Sequence, residues 1–173
     1  GLDVNLGILE SVDASNNKQK FWLAYTANYH YGEKLREKEL VLWGVTYKPN
    51  TDDIRESSAI NTTNHLLGLG AKLRVYDPEP KAIANFKNIY GDIVQYGTNV
   101  YDVLDGASAL LIATDWNEFK GIDLEKVGSK LKDKLVIDSR NLYSLDSAKD
   151  AGIKYLSLGR PRIGFWKVIY GIV

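Results

Sequence analysis

From Leu40 onward the sequence alternates short apolar runs with segments of helical spacing, and this alternation restricts the chain to few folds. Residues 40–45 read as the first strand, and 72–76, 93–96, 109–113, 135–138 and 153–158 as the later ones. Between them, residues 57–69, 81–90, 100–104 and 124–131 read as helices. Strands that alternate with helices form βαβ units, and right-handed crossovers then make the sheet mainly parallel. The expected fold class is therefore α/β, Rossmann-like and doubly wound. Residues 109–113 are apolar throughout, as expected of a strand covered on both faces. Gly68 and Gly70 stand where the first helix should stop.

Ahead of the alternation, residues 8–31 contain neither Gly nor Pro, and Gly7 and Gly32 bound them. They are read as one long N-terminal helix with aromatics toward its end (Phe21, Trp22, Tyr25, Tyr29) and a polar waist at 15–20. Such a helix suits a connector or an oligomerisation surface, or it lies along the domain as an ordinary amphipathic element. Residues 33–38 form a charged linker. The tail, residues 161–173, is rich in Ile, Val, Phe and Trp and matches no expected element. The expected organisation is helix and linker over 1–38, a ligand-binding domain over 39–160, and an unassigned tail.

Composition removes several classes of function. Twenty-two basic residues balance 22 acidic ones, so neither nucleic acid nor an anionic membrane is expected as partner. There is no cysteine, hence no disulfide, thiolate metal ligand or cysteine nucleophile within the chain. No apolar run is long enough to span a bilayer and no signal peptide is evident, so the expected location is cytoplasmic. A start at Gly1 and the lack of methionine read as a fragment or a processed product. His30 and His65 have no ligand cluster at metal spacing, and no metal site is expected.

In a parallel sheet the residues just after each strand gather on one edge, where open α/β sheets bind ligands. The first such segment, Trp43 to Ser58, carries Tyr47, Lys48, Asp52, Asp53 and Arg55; later ones supply Asp77, Thr114, Asp115, Asp138, Ser139, Arg140 and Asn141. Lys48, Arg55 and Arg140 would suit a diphosphate, Arg as a planar fork of donors and Lys as a mobile charge. The opening of the next helix near Ser57 would add free backbone N–H groups. The same residues also support a plainer reading. Asp53-Ile-Arg-Glu56 has capping-box spacing and Ser57 can itself cap a helix, while Lys48 and Arg140 can pair with Asp52, Asp53 or Asp138. No G-x-G-x-x-G follows the first strand, and Asp77 reads more readily as the start of an Asp-Pro turn than as a ribose contact.

The blocks around this edge carry a resemblance. Gly44-Val-Thr-Tyr-Lys-Pro-Asn-Thr-Asp-Asp-Ile-Arg-Glu-Ser is similar to the signature opening the C-terminal, nucleotide-sugar-binding domain of the UDP-glucose and GDP-mannose dehydrogenase family. Val75-Tyr-Asp-Pro78, Thr114-Asp-Trp-Asn-Glu-Phe119, Val136-Ile-Asp-Ser-Arg-Asn141, and Ala151-Gly-Ile-Lys-Tyr155 through Gly159-Arg160 resemble its later blocks in the same order. Asn17-Lys-Gln-Lys20 is similar to the end of the long helix through which these enzymes dimerise. Leu42-Trp-Gly with Lys-Pro-Asn-Thr-Asp-Asp looks most like the bacterial members that oxidise UDP-glucose.

The resemblance implies a UDP-sugar partner, with Lys48 and Arg140 on the substrate, Tyr47 lining the pocket, and Arg55 reaching the phosphates of NAD held by another domain. It implies oxidation of the sugar C6 alcohol to a carboxylate by two hydride transfers to NAD, through thiohemiacetal and thioester intermediates on a cysteine. Neither that cysteine nor the glycine-rich NAD loop is in this sequence, so no catalytic residue is expected here and the chain alone should be inactive. The alternatives are a fragment specific for UDP-N-acetylmannosamine or GDP-mannose, or a non-catalytic nucleotide-binding or assembly module. Two departures stand out. Ser58 replaces a frequent Pro, and Ser139 replaces a common Gly, raising the expectation of a strained positive φ at that position.

Overall fold

Six parallel strands lie in the order β3-β2-β1-β4-β5-β6 in the computed structural model, which describes residues 19–165. The strands are β1 (Glu39–Trp43), β2 (Lys72–Tyr76), β3 (Gln95–Tyr96), β4 (Ala109–Ile112), β5 (Leu135–Asp138) and β6 (Lys154–Ser157). The helices are α1 (Trp22–Tyr31), α2 (Ser58–Gly68), α3 (Pro80–Tyr90), α4 (Asn117–Lys120), α5 (Leu124–Lys130) and α6 (Leu145–Asp150). The order reverses between β1 and β4, and such a point opens a crevice at the carboxyl ends of the strands.

The pleat explains why the central strands are apolar on every residue. Leu40 and Leu42 of β1 join one core with Val75, Leu111, Ile137 and the inner faces of α1, α2 and α3. Val41 and Trp43 point the other way, into a second core with Leu110, Ile112, Val136, Phe119 and Tyr155. Each strand residue thus belongs alternately to one of two apolar layers, the arrangement that doubly wound parallel sheets require.

Differences from the expected elements have local causes. The third strand is only Gln95–Tyr96, and residues 102–104 form a 3₁₀ turn in place of an α-helix. Gly97 allows this by close approach, since a Cβ there would lie 2.6 Å from Val103 Cβ. Helices α4 and α6 are short, with one buried residue each, Phe119 and Ala148, which leaves almost no periodic signal. Ser144 nevertheless caps α6 through Ser147 N at 3.0 Å.

Residues 8–18 of the expected N-terminal helix lie outside the described residues. Within them, residues 19–20 are helical, Phe21 is a turn, and α1 follows. Leu23, Ala24 and Ala27 of α1 are buried on the domain, and Tyr31 Oη (2.9 Å) and Lys38 Nζ (3.0 Å) both donate to Asp133. Over this span the helix lies along the sheet domain and leaves Tyr25 and Tyr29 exposed. The first residues of the tail fold back: Ile163 forms an antiparallel bridge with Tyr155, closing the β6 edge, and Phe165 packs on the first core. No described helix is long and apolar enough to cross a membrane.

Candidate functional site at the carboxyl edge of the sheet

The crevice is shaped by one glycine. Gly44 ends β1 with φ +86°, donates its N–H to Tyr76 O at 2.9 Å, and lies so close to Thr114 that an added Cβ would be 2.5 Å from Thr114 Cβ. Thr114 Oγ1 in turn donates to Thr46 O at 2.6 Å, lacing the ends of β1 and β4 together across the point of reversal.

Asp77, at the end of β2, is the hub that the sequence reading undervalued. It does open the expected Asp-Pro turn, accepting Glu79 N at 2.9 Å. Its other oxygen accepts Val45 N at 2.7 Å and Trp116 Nε1 at 3.2 Å, tying together the loops after β1, β2 and β4. Asp77 is only 4% exposed; burial pushes its pKa above the usual aspartate value, and these hydrogen bonds only partly oppose that.

Asp138 plays the corresponding part at the end of β5. It is fully buried and accepts Arg140 N at 2.7 Å, Leu142 N at 2.8 Å and Tyr155 Oη at 2.6 Å. The Arg140 side chain then turns back over β4, where its Nε donates to Ala113 O at 2.6 Å. That bond orients the guanidinium; Arg140 is exposed, and its two Nη groups have no hydrogen bond or ion pair among the described residues. Ser139 does not have the strained backbone expected of it. The positive φ falls on Asn141, at 57°, and Ser139 Oγ donates to Ile112 O at 2.8 Å. Asn tolerates that conformation better than most residues, so the block keeps its turn without glycine.

Residues 44–57 form a polar loop in two parts. Lys48 is exposed and lies 5.1 Å from the ring centroid of Tyr47, itself 40% exposed. Further along, Asp53 O accepts Tyr47 N at 3.1 Å, and the Asp53 carboxylate takes Arg55 in a fork, Nε at 3.0 Å and Nη2 at 2.8 Å. Arg55 is therefore paired within its own loop. The capping-box reading of Asp53 fails because its carboxylate takes Arg55; Ser57 caps α2 through Ala59 N at 3.2 Å, and Ser58 is the first helical residue, where Pro is equally at home.

The Arg55 fork holds the Asp53 carboxyl down at about 2, from an ordinary 3.8, while Asp77 moves the other way. For Asp53 the stabilising share is present above the ordinary value and is lost as pH falls toward 2. For Asp77, protonated more readily in the fold, the share is present at low pH and is lost as pH rises through its elevated pKa. Carboxyl-carbon NMR titration should find the two on opposite sides of 3.8, and Arg55→Ala should return Asp53 to the ordinary range and leave Asp77 where it is. Two coincident titrations would refute the assignment.

The sequence-predicted cations thus divide. Lys48 beside Tyr47, and Arg140 above the end of β4, are exposed and have no carboxylate partner among the described residues, whereas Arg55 is paired with Asp53. No hydrogen bond or ion pair joins Arg140 to Tyr47 or Lys48 among the described residues. Among the described residues the edge lacks the tight glycine turn of a dinucleotide site: residues 44–57 stand in its place, and Ser57, 1% exposed, fills the start of α2. Among the described residues no group of three His, Asp or Glu could hold a metal ion.

Residues 41–145 match the model of the UDP-glucose/GDP-mannose dehydrogenase family, UDP binding domain, which takes in β1 through the start of α6 and every edge residue just described. The chain belongs to that family. Its sequence is 36% identical over 156 residues to the UDP-glucose 6-dehydrogenase TuaD of Bacillus subtilis, a match covering 90% of this chain and 33% of that protein. It is 35% identical over 159 residues to the UDP-glucose 6-dehydrogenase of Rhizobium meliloti, covering 92% and 36%. Among solved structures, a UDP-glucose dehydrogenase from Pyrobaculum islandicum superposes with a TM-score of 0.72 at 28% identity over 90% of this chain and 33% of that one. The chain therefore spans about a third of the length of these relatives and corresponds to their C-terminal, UDP-binding part. As a UDP-binding domain of this family it has the Rossmann-like sheet but, in this stretch, no dinucleotide turn.

Proposed function

We propose that this chain supplies the UDP-sugar site of an NAD-dependent dehydrogenase that oxidises UDP-glucose to UDP-glucuronate. The observation that carries the proposal is the pair of exposed cations, Lys48 and Arg140, at the point of strand reversal in a UDP-binding domain. Arg140 offers a fork whose plane is set by Ala113 O, suited to two oxygens of a diphosphate; Lys48 offers a mobile charge, and Tyr47 an apolar wall. Converting a primary alcohol to a carboxylate removes two hydrides, one to each of two NAD molecules, takes its second oxygen from water and releases protons. Residues 1–173 contain no cysteine and no dinucleotide turn, so in this reading the hydride chemistry belongs to sequence outside them. Arg55 stays paired with Asp53 in this reading, and its side chain, 86% exposed, meets a cofactor phosphate held beyond this domain only through Nη1, the nitrogen that the Asp53 fork leaves unused. A division at residues 38 and 160, a cytoplasmic location and pairing of two copies through the N-terminal helix belong to the same proposal.

Calorimetry tests it. UDP should bind the chain, and Lys48→Ala or Arg140→Ala should each weaken binding by about tenfold, the worth of one charge-assisted contact. A folded chain with no measurable affinity for UDP would refute a preformed site. NADH production from UDP-glucose by residues 1–173 should be nil, and any turnover would overturn the division of labour. UDP-N-acetylmannosamine is the second candidate sugar, because a UDP-D-ManNAc dehydrogenase structure from Pyrococcus horikoshii superposes equally well, with a TM-score of 0.72 at 25% identity.

A further inference from the structure

Between α1 and the end of β6 the fold builds a second polar cleft, of about 350 Å³, that shares no residue with the UDP edge. One wall is a single face of α1, with Trp22, Tyr29 and His30; the other is the end of β6 and the turn beyond it, with Ser157, Arg160 and Arg162. The volume lies within the range of small-molecule sites.

Three features of this cleft lack an explanation inside the fold. Ser157 is 5% exposed, and its hydroxyl has no hydrogen-bond partner, although buried polar atoms are nearly always paired. Two guanidinium groups line the cleft, yet neither has a carboxylate partner among the described residues. Arg160 spends one donor on Tyr143 O at 2.8 Å and keeps the rest, and Arg162 rests 5.8 Å from the centroid of the Tyr29 ring. Among the described residues no acidic one lines the cleft, and burial, with Lys154, Lys38 and Arg162, holds the His30 pKa below its ordinary value, Asp133 opposing them. Among the described residues the cleft thus carries two guanidinium groups without a carboxylate partner above a buried, unused hydroxyl. Its walls are aromatic: Trp22 and Tyr29 on one side, and Phe165, whose ring meets His30 edge-on at 5.7 Å, on the other.

We propose that this cleft is a second ligand site, taking a compact oxyanion carried on a planar ring. The oxyanion accepts from Arg160, Arg162 and the Ser157 hydroxyl, and the ring lies among Trp22, Tyr29 and Phe165. Such a ligand bridges α1 to the segment after β6 and so clamps the N-terminal helix to the sheet domain. The ring-bound oxyanion has two chemical sources, a phosphate monoester or a carboxylate. The inference stands apart from the UDP reading, since none of Tyr47, Lys48 or Arg140 takes part.

Phenyl phosphate, benzoate and inorganic phosphate, each titrated into the full chain, test it by calorimetry, by the melting temperature and by the Trp22 indole N–H resonance. At least one ring-bearing anion should bind saturably, shift the Trp22 signal and raise the melting temperature; phenyl phosphate against benzoate identifies the oxyanion. Inorganic phosphate should bind about tenfold more weakly for want of the ring. Arg162→Ala, at an exposed position that does not threaten folding, should weaken binding about tenfold, as one charge-assisted contact is worth. Ser157→Ala should weaken it as well, and Lys48→Ala should leave it unchanged. The proposal is overturned if neither ring-bearing anion binds, if Arg162→Ala has no effect, if inorganic phosphate binds as tightly, or if Lys48→Ala abolishes binding, which would move the anion to the UDP edge.

Discussion

Gly44→Ala should destabilise the domain by about 3 kcal/mol, summing roughly 1–2 for a left-handed alanine and roughly 1–3 for overpacking. The position combines φ +86° with contacts that cannot retreat: the new Cβ would meet Thr114 Cβ at 2.5 Å and its backbone N at 2.8 Å. Backbone on both sides forces the ends of β1 and β4 apart, breaking the Thr114 Oγ1 to Thr46 O bond of 2.6 Å. For a chain of this size the loss corresponds to a fall of about 6–12 °C in melting temperature. UDP affinity should fall with it, because Tyr47 and Lys48 follow Gly44 on the same displaced segment. A variant melting within about 2 °C of the parent would show that the strand ends separate freely, less than 1 kcal/mol on the same scale. By contrast, Gly121→Ala, where an added Cβ meets nothing within 4 Å, should be nearly silent.

Asp138→Ala should cost about 4 kcal/mol, since it leaves three buried or half-buried donors without an acceptor at roughly 1–3 kcal/mol each. Those donors are Arg140 N, Leu142 N and Tyr155 Oη, all within 2.8 Å of the carboxylate. Asp138→Asn keeps the shape and one acceptor oxygen but turns an NH₂ toward the remaining donors, so an intermediate loss is expected. Urea unfolding measures both. The functional consequence is separable: with the Arg140 backbone N–H released, the side chain loses its setting over Ala113 O, and UDP binding should weaken even where Asp138→Asn remains folded. Full stability in Asp138→Ala would mean that water replaces the carboxylate and that the turn does not depend on it.

Much of the architecture could be read in advance because both signals behind it are local. The all-apolar runs at Leu40–Trp43 and Ala109–Ile112 announce strands covered on both faces, and β2 and β5 begin and end where composition changes. The ordered blocks from Gly44 to Arg160 carried the family, which the match over residues 41–145 shows. What stayed hidden had little periodic signal or depended on distant partners. Helices α4 and α6 bury one residue each. The Arg55 fork on Asp53 lies only two residues away in the chain, yet composition could not separate it from pairing with Lys48.

The sequence by itself determined the strand–helix alternation, the edge on which the polar loops gather, and the residue types Lys48 and Arg140 that face it. Only the tertiary structure decided which of the three cations has a carboxylate partner, since that depends on whether a group such as Asp53 lies within reach. It also made buried anchors of Asp77, read as the start of a turn, and of Asp138, read as an edge residue or ion-pair partner, because their partners, Val45, Trp116 and Tyr155, come from other strands and loops. Gly44 shows both sides. Its identity is written in the chain, but the reason for it, a threonine on β4 with no room for one more carbon, exists only once β1 and β4 lie side by side.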